Sequence, residues 1–246
     1  MALLHSFEKS GNFLFRYRGQ IPVILFIFSI PVIYFTNYNI PKYLILILTI
    51  LSILLSIFGF IIRAISIGTT PKGTSGRNTE YQVAETLNVT GIYSTVRHPL
   101  YFGNYFMWIG IVLFTFNIYF VIIVSLLFWL YYERIMFAEE RFLENKFGDE
   151  CMEWSLTTPA FFPSFKNYKK STTPFSFKSV LRREYSGFLA TIFCFAFIDH
   201  LRYFFIHENF EWNRISTWVF AVALIITLIL RTIKHKSKFL NEEGRS

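Results

Sequence analysis

The chain has 246 residues, of which 53% are hydrophobic and 31 are phenylalanine, and it carries a formal net charge of +8. A soluble domain of this length does not tolerate that much apolar surface, so the composition indicates an integral membrane protein. The basic residues are scattered over short segments beside apolar runs, which argues against a nucleic-acid partner.

Six apolar stretches reach the roughly 20 residues that a helix needs to cross a bilayer. We therefore predict an all-α polytopic membrane protein with about six transmembrane helices, the first of which contains a kinking Pro31. The residues before it are polar and basic, and we expect no cleavable signal peptide. The predicted spans are 21–38, 43–68, 100–117, 118–138, 186–206 and 214–231.

The basic residues also predict the orientation. With six spans, 21 of the 24 Lys and Arg residues fall on one side, all but Lys42, Arg202 and Arg214. Cytoplasmic segments retain basic residues, so both termini are expected in the cytoplasm. The positive charge would then face anionic headgroups.

The chain is expected to divide into a four-span core (1–165), a basic linker (166–178) and a two-helix extension (179–246). Cys151 and Cys194 are far apart in this scheme, so we expect no disulfide between them. No metal-binding set of Cys and His is evident, and no metal is expected.

Two helix faces carry small residues at helical spacing, which is typical of close helix–helix contact in membranes. One face is on the second span and continues to Arg63, which either reaches the headgroups or turns inward to bind an anion. The other face is on the third span. The small-residue positions are Ser52, Ser56, Gly59 and Ser66 on the second span, and Gly103 and Gly110 on the third.

The loop between the second and third spans contains Gly73, Arg77 and several hydroxyl residues. Backbone N–H groups and a guanidinium of this kind can wrap an anionic group, although a plain solvated turn has the same composition.

The segment 91–104 is polar and interrupted by proline, and it places Arg97, His98 and Tyr101 at the mouth of the third span. The fourth apolar run ends in the pair Glu139 and Glu140. Polar groups at this depth are costly to desolvate and usually mark a functional site.

Residues 91–104 and 131–163 resemble the isoprenylcysteine carboxyl methyltransferase and phospholipid methyltransferase superfamily, whose members are integral membrane enzymes that use S-adenosylmethionine. The resemblance covers about 75 residues. Its pieces are Gly91-Ile-Tyr93, Arg97-His98-Pro99-x-Tyr101-x-Gly103-Asn104, Glu139-Glu140-x-x-Leu143, Phe147-Gly148, Pro159 and Pro163.

The resemblance implies a cofactor pocket open to the cytoplasm. Glu139 or Glu140 would pair with the ammonium of S-adenosylmethionine, and Arg97 and His98 would bind its carboxylate. Gly103 would let the adenosine approach the helix. The residues implied for cofactor binding are Tyr93, Arg97, His98, Pro99, Tyr101, Gly103, Asn104, Glu139 and Glu140. The candidate catalytic residues are Arg97 and His98, together with Arg77, which is taken from the composition of its loop.

The expected activity is methylation of a lipid-embedded acceptor, and the basic residues Arg63, Lys72 and Arg77 favour an anionic one. A prenylated carboxylate and a lipid phosphate both fit. The alternatives are an NADPH-dependent membrane lipid or sterol reductase, with Arg77 at a 2′-phosphate, and a non-enzymatic transporter or scaffold. A transporter predicts polar residues near the bilayer midplane, whereas here they lie at the rim.

Overall fold

The computed structural model describes residues 2–74 and 82–245, and helices are the only extended regular elements in these ranges. A single 3₁₀ turn, Gly91–Ser94, precedes the fourth helix. The α-helices are α1 (Ala2–Arg16), α2 (Ile21–Phe35), α3 (Lys42–Gly68), α4 (Pro99–Leu113), α5 (Ile118–Phe147), α6 (Asp149–Thr157), α7 (Phe177–His207) and α8 (Ile215–Lys236).

The all-α membrane fold is confirmed, but helix length supports fewer crossings than six. Within the described ranges, α3, α5, α7 and α8 are long and apolar enough to span a bilayer. A fifth crossing is obtained if α1 and α2, which meet at a bend of 77°, count as one span. Helix α4 has 15 residues, about 22 Å at 1.5 Å per residue, which is shorter than a bilayer core of about 30 Å. The cytoplasmic location of the termini stays a prediction.

The interior and the exterior of the bundle are inverted relative to a soluble protein. Helix α3 buries Ser52, Ser56 and Gly59, whereas its Leu46 and Leu54 are 60% and 56% exposed. Lipid is as apolar as leucine, so leucines are favoured on the outside and small residues where backbones meet.

Helices α3 and α4 form the closest packed pair, as the small-residue faces predict. A Cβ atom on Gly59 would lie 2.4 Å from the carbonyl oxygen of Gly103, and one on Gly110 would lie 2.2 Å from Oγ of Ser56. The Ser56 hydroxyl donates across the contact to the carbonyl of Met107 at 3.1 Å. The predicted role of these residues in helix packing is confirmed.

Helix α7 packs against α2, α3 and α8, so the C-terminal helices contact the core directly. Within α7, Asp199 and Arg202 form an ion pair, with Nη2 of Arg202 3.3 Å from the carboxylate. Arg214 donates to the same carboxylate through Nε at 2.7 Å and Nη2 at 2.8 Å, and this links α7 to the start of α8.

The segment after α8 returns to the end of α3. The Arg245 guanidinium donates to the carbonyls of Gly68 at 3.1 Å and Thr70 at 3.3 Å, and also to Pro174. The Gly68 carbonyl stands at the end of α3, where the last carbonyls have no partner within the helix, and it also accepts a hydrogen bond from the Ser176 N–H at 2.7 Å. The contacts hold the predicted linker against the core; the division of the chain into two domains stays a prediction.

The close α3–α4 contact predicts that Gly59→Ala destabilises the protein. Alanine in a helix interior normally gains up to about 1 kcal/mol over glycine, but here the methyl group would overlap backbone atoms of α4, at a cost of about 1–3 kcal/mol. Thermal unfolding in detergent measures the difference. Gly19→Ala is the matched control, because a Cβ atom there meets nothing within 4 Å. A Gly59→Ala variant as stable as Gly19→Ala would contradict this packing.

Candidate active site

The candidate site lies where α4 begins and the last third of α5 projects beyond the apolar part of that helix. Pro99 is the first residue of α4, and its fixed φ and missing N–H suit that position. The backbone before Pro99 forms hydrogen bonds with residues 158–160, which follow α6 and are called the strap below. Arg97 N–H donates to the carbonyl of Pro159 at 2.9 Å, and His98 N–H donates to that of Ala160 at 3.2 Å. The strap therefore holds Arg97 and His98 in a defined direction.

Arg97 joins three elements. Its Nε and Nη2 donate to Glu140 of α5 at 2.9 and 3.0 Å. Its Nη1 donates to the carbonyls of Ser155 and Thr158 at 2.8 and 2.6 Å, at the end of α6. A guanidinium has five N–H donors, and within the described ranges four of them are used in this way. Arg97 thus chiefly holds the wall of the site together.

His98 lies between both members of the Glu pair and is only 7% exposed. Its Nε2 is 2.8 Å from Oε1 of Glu140, and its Nδ1 is 3.5 Å from Oε2 of Glu139. Burial by itself would lower the pKa of His98, but the hydrogen bonds and charges of the two carboxylates outweigh burial, and the pKa is raised. The imidazolium form is therefore favoured at this position.

Tyr101 and Glu139 form the half of the cluster that faces a cavity. The Tyr101 hydroxyl donates to Oε1 of Glu139 at 2.7 Å, and its ring stacks on His98 with centroids 5.7 Å apart. Glu139 and Glu140 are adjacent on α5 but have different neighbours. Glu140 faces Arg97 and His98, whereas Glu139 faces a cavity.

This cavity, called the polar cavity below, has a volume of about 540 Å³ and lies between α3, α4, α5, α7 and the loop before the 3₁₀ turn. Seven of the predicted site residues line it. They are Tyr93, Arg97, His98, Pro99, Tyr101, Asn104 and Glu139.

Two predicted site residues, Glu140 and Gly103, are placed elsewhere. Glu140 does not line the polar cavity and lies behind His98. Gly103 faces α3, where a Cβ atom would lie 2.7 Å from Cγ of Arg63, so its lack of a side chain serves helix packing. Arg77 lies outside the described residues.

Tyr93 closes one end of the polar cavity. Its carbonyl accepts a hydrogen bond from Nε1 of Trp154 at 2.9 Å, which ties the 3₁₀ turn to α6. Burial raises the pKa of the Tyr93 phenol, so the ring stays neutral.

Arg63 turns inward, which decides between the two orientations left open by the sequence. Its Nε and Nη2 donate to Glu184 of α7 at 2.7 and 2.6 Å, and its Nη1 donates to Oδ1 of Asn104 at 2.6 Å. The Glu184 side chain is only 4% exposed. Sequence reasoning missed Glu184, because it follows Arg182 and Arg183 and looks like part of a charged helix end.

A second cavity, called the apolar cavity below, has a volume of about 430 Å³ and lies between α2, α4, α5 and α7. It shares Arg18, Arg63 and Asn104 with the polar cavity. The two cavities therefore meet at these three residues. Within the described ranges, no three His, Cys, Asp or Glu side chains are grouped so as to hold a metal ion.

Residues 42–150 match the family model described as phospholipid methyltransferase. The matched segment runs from the start of α3 into α6, and so contains the Arg97–Glu140 cluster but neither α7 nor α8.

Two curated proteins are similar over part of the chain. The cobalt-zinc-cadmium resistance protein CzcN of Cupriavidus metallidurans is 36% identical over 88 residues, which is 36% of this chain and 40% of that protein. The nickel-cobalt-cadmium resistance protein NccN of Alcaligenes xylosoxydans xylosoxydans is 34% identical over 87 residues, or 35% of this chain and 40% of that protein. The chain thus spans about 40% of the length of these relatives. No solved structure matches.

The raised pKa of His98 predicts a pH-dependent contribution to stability. A group whose pKa is higher in the folded state stabilises that state fully below its ordinary value, here 6.5, and this stabilisation is lost as the pH rises through the folded-state pKa. The difference in melting temperature between the wild type and His98→Gln should thus be largest in mild acid and shrink towards alkaline pH. His235→Gln, at an exposed position of α8, is the control and should show no such trend. A difference that grows with pH would contradict the ion-paired state of His98.

Proposed function

We propose that the chain, whose residues 42–150 match the phospholipid methyltransferase family model, transfers a methyl group from S-adenosylmethionine to a lipid-embedded acceptor with an anionic head. The observation that carries this proposal is a charged cavity at the mouth of α4 that meets an apolar cavity at Arg63. A methyl donor that is polar and an acceptor that is partly apolar need two compartments of this kind.

The polar cavity suits the cofactor in size and in donor set. Its volume of about 540 Å³ falls within the roughly 300–1,000 Å³ of small-molecule sites. Glu139 accepts one hydrogen bond from Tyr101 at 2.7 Å, and an ionised carboxylate has about four acceptor positions. Glu139 therefore has capacity for the cofactor's ammonium group. Arg97 retains one N–H, beside His98, for the carboxylate group.

When bound, S-adenosylmethionine would supply a methyl group activated by attachment to a positively charged sulfur. The protein's own task is to align the acceptor with that carbon and to keep water out. Tyr93, Tyr101 and Tyr132 line the cavity and present aromatic faces that favour a nearby cation.

The charges of the cavity favour an anionic acceptor. Among the described residues, Arg18, Arg63, Arg97 and Arg183 line it, whereas the acidic lining residues are Glu139 and Glu184. An ionised carboxylate or phosphate needs no general base to accept a methyl group. The basis for this preference differs in part from the one expected from sequence. Lys72 is exposed and does not line the cavity, and the charge of Arg63 is paired with Glu184.

The reductase alternative is not favoured, because the family match covers the segment that forms the cluster and the family is one of methyltransferases. The proposal keeps Arg77 as an acceptor-binding residue on the basis of its charge and the composition of its loop, and it keeps the cavity open to the cytoplasm, where S-adenosylmethionine is made.

The position of Glu139 predicts that Glu139→Gln weakens cofactor binding. Loss of one charge-assisted contact costs about 1.5–3 kcal/mol, or roughly 10- to 150-fold in affinity. Calorimetry of the purified protein in detergent with S-adenosylmethionine and with S-adenosylhomocysteine measures the change. Glu144→Gln is the matched control, since Glu144 is on the same helix and pairs with Arg141. A wild-type protein that binds NADPH and neither methionine derivative would overturn the proposed function.

The proposed orientation predicts that α6 is cytoplasmic. Cys151 is only 4% exposed, and burial raises its pKa, so it is a poor reporter. Leu156 of α6 is 80% exposed. A Leu156→Cys variant in a Cys151→Ser background should react in intact cells with a membrane-permeant thiol reagent and resist an impermeant one. Strong labelling by the impermeant reagent would place the cavity on the face that the cofactor does not reach.

A further inference from the structure

The apolar cavity has one polar end. Arg18, Arg63 and Asn104 stand where it meets the polar cavity. The hydroxyl groups elsewhere in its wall are satisfied by their own helices: Ser29 donates to the carbonyl of Phe26 at 2.6 Å, and Thr191 donates to that of Gly187 at 2.9 Å. Beyond the junction the wall therefore offers little to a polar ligand and suits a hydrocarbon chain.

One wall of the apolar cavity is a single face of α7. Five lining residues lie on this face, each three or four positions from another member of the set: Gly187, Ala190, Thr191, Cys194 and Ile198. Glu184 continues this face by one turn towards the polar cavity. The face is built mostly from small side chains, and a Cβ atom on Gly187 would meet only Oε2 of Glu184, at 3.9 Å. Space at this point is thus left open beside the ion pair.

Glu184 holds Arg63, the residue that divides the two cavities, in place. The Glu184 carboxylate accepts hydrogen bonds from Nε and Nη2 of Arg63, and Oδ1 of Asn104 accepts one from Nη1. Within the described ranges these contacts use three of the five guanidinium donors. The other two remain for the oxygen atoms of a head group. A molecule whose head lies at Arg63 must place its chain along α7.

Resting on the proposed function, we infer that α7, which lies outside the family-matched segment, determines which acceptor chains the enzyme takes. The chain of the acceptor lies in the apolar cavity against the 187–198 face, and its head lies at Arg63. The occupant is a single hydrocarbon chain that ends in a carboxylate or phosphate head, because the polar end of the cavity is cationic and adjoins the polar cavity at Arg63.

The test fills the cavity from α7. Gly187→Leu and Gly187→Trp place bulk into open space, and replacing a helix-interior glycine favours folding. The probes are N-acetyl-cysteine carrying S-prenyl, S-geranyl or S-farnesyl chains, and the corresponding prenyl, geranyl and farnesyl monophosphates. Ligand-induced shifts in melting temperature report binding in full-length protein, with or without turnover. Val222→Trp, at an exposed position of α8, is the control for added bulk.

In the wild type, stabilisation should rise from prenyl to farnesyl with one of the two head groups. The Gly187 variants should lose farnesyl affinity by about fourfold for each methylene that no longer fits, and keep the response to S-adenosylhomocysteine. The Val222→Trp variant should behave as the wild type. Equal farnesyl responses in the wild type and the Gly187 variants, or no response to any chain, would overturn the inference. If the wild type itself does not bind S-adenosylhomocysteine, that result contradicts the proposed function instead.

Discussion

The arrangement of the site depends on how two adjacent carboxylates are neutralised near the apolar part of a membrane helix. An unpaired charge at this depth is costly, so each carboxylate needs its own partners. Glu140 is satisfied by Arg97 and His98, and Glu139 by Tyr101 and, more distantly, His98. Because Arg97 also binds the last carbonyls of α6, the same pairing fixes the strap after α6 and the start of α4. Glu139, the carboxylate that lines the polar cavity, is thereby held by a rigid frame.

The motif spacing was sufficient to bring His98, Tyr101 and the Glu pair together, since each stands at the end of a helix on the same side. It was insufficient to separate the roles of Glu139 and Glu140. Successive helical residues point about 100° apart, and only the neighbours in space determine which one faces a cavity. Gly103 was misleading for a related reason, because a glycine at a helix contact and a glycine beside a ligand have the same signature in sequence.

The contacts of α7 could not be obtained from local patterns. Arg63 and Glu184 are 121 positions apart, and no periodicity relates them. Helix α1 was missed because its apolar face is interleaved with polar and basic residues, and it packs along α5 as an amphipathic helix. In both cases packing between helices, which a single sequence does not display, supplies the information.

The unequal lengths of α4 and α5 make the depth of the site a property of the bilayer as well as of the protein. Helix α4 extends over about 22 Å and α5, with 30 residues, over about 45 Å, and the turn 114–117 joins them. His98, at the mouth of α4, lies beside Glu140, so the site stands short of the end of α5 at Phe147. We expect the boundary between headgroups and hydrocarbon to lie near this level. A thicker or thinner membrane would raise or lower that boundary relative to His98 by tilting the helices or stretching the lipids. Under the proposed function, the composition of the host membrane would therefore regulate how easily a lipid head reaches Arg63.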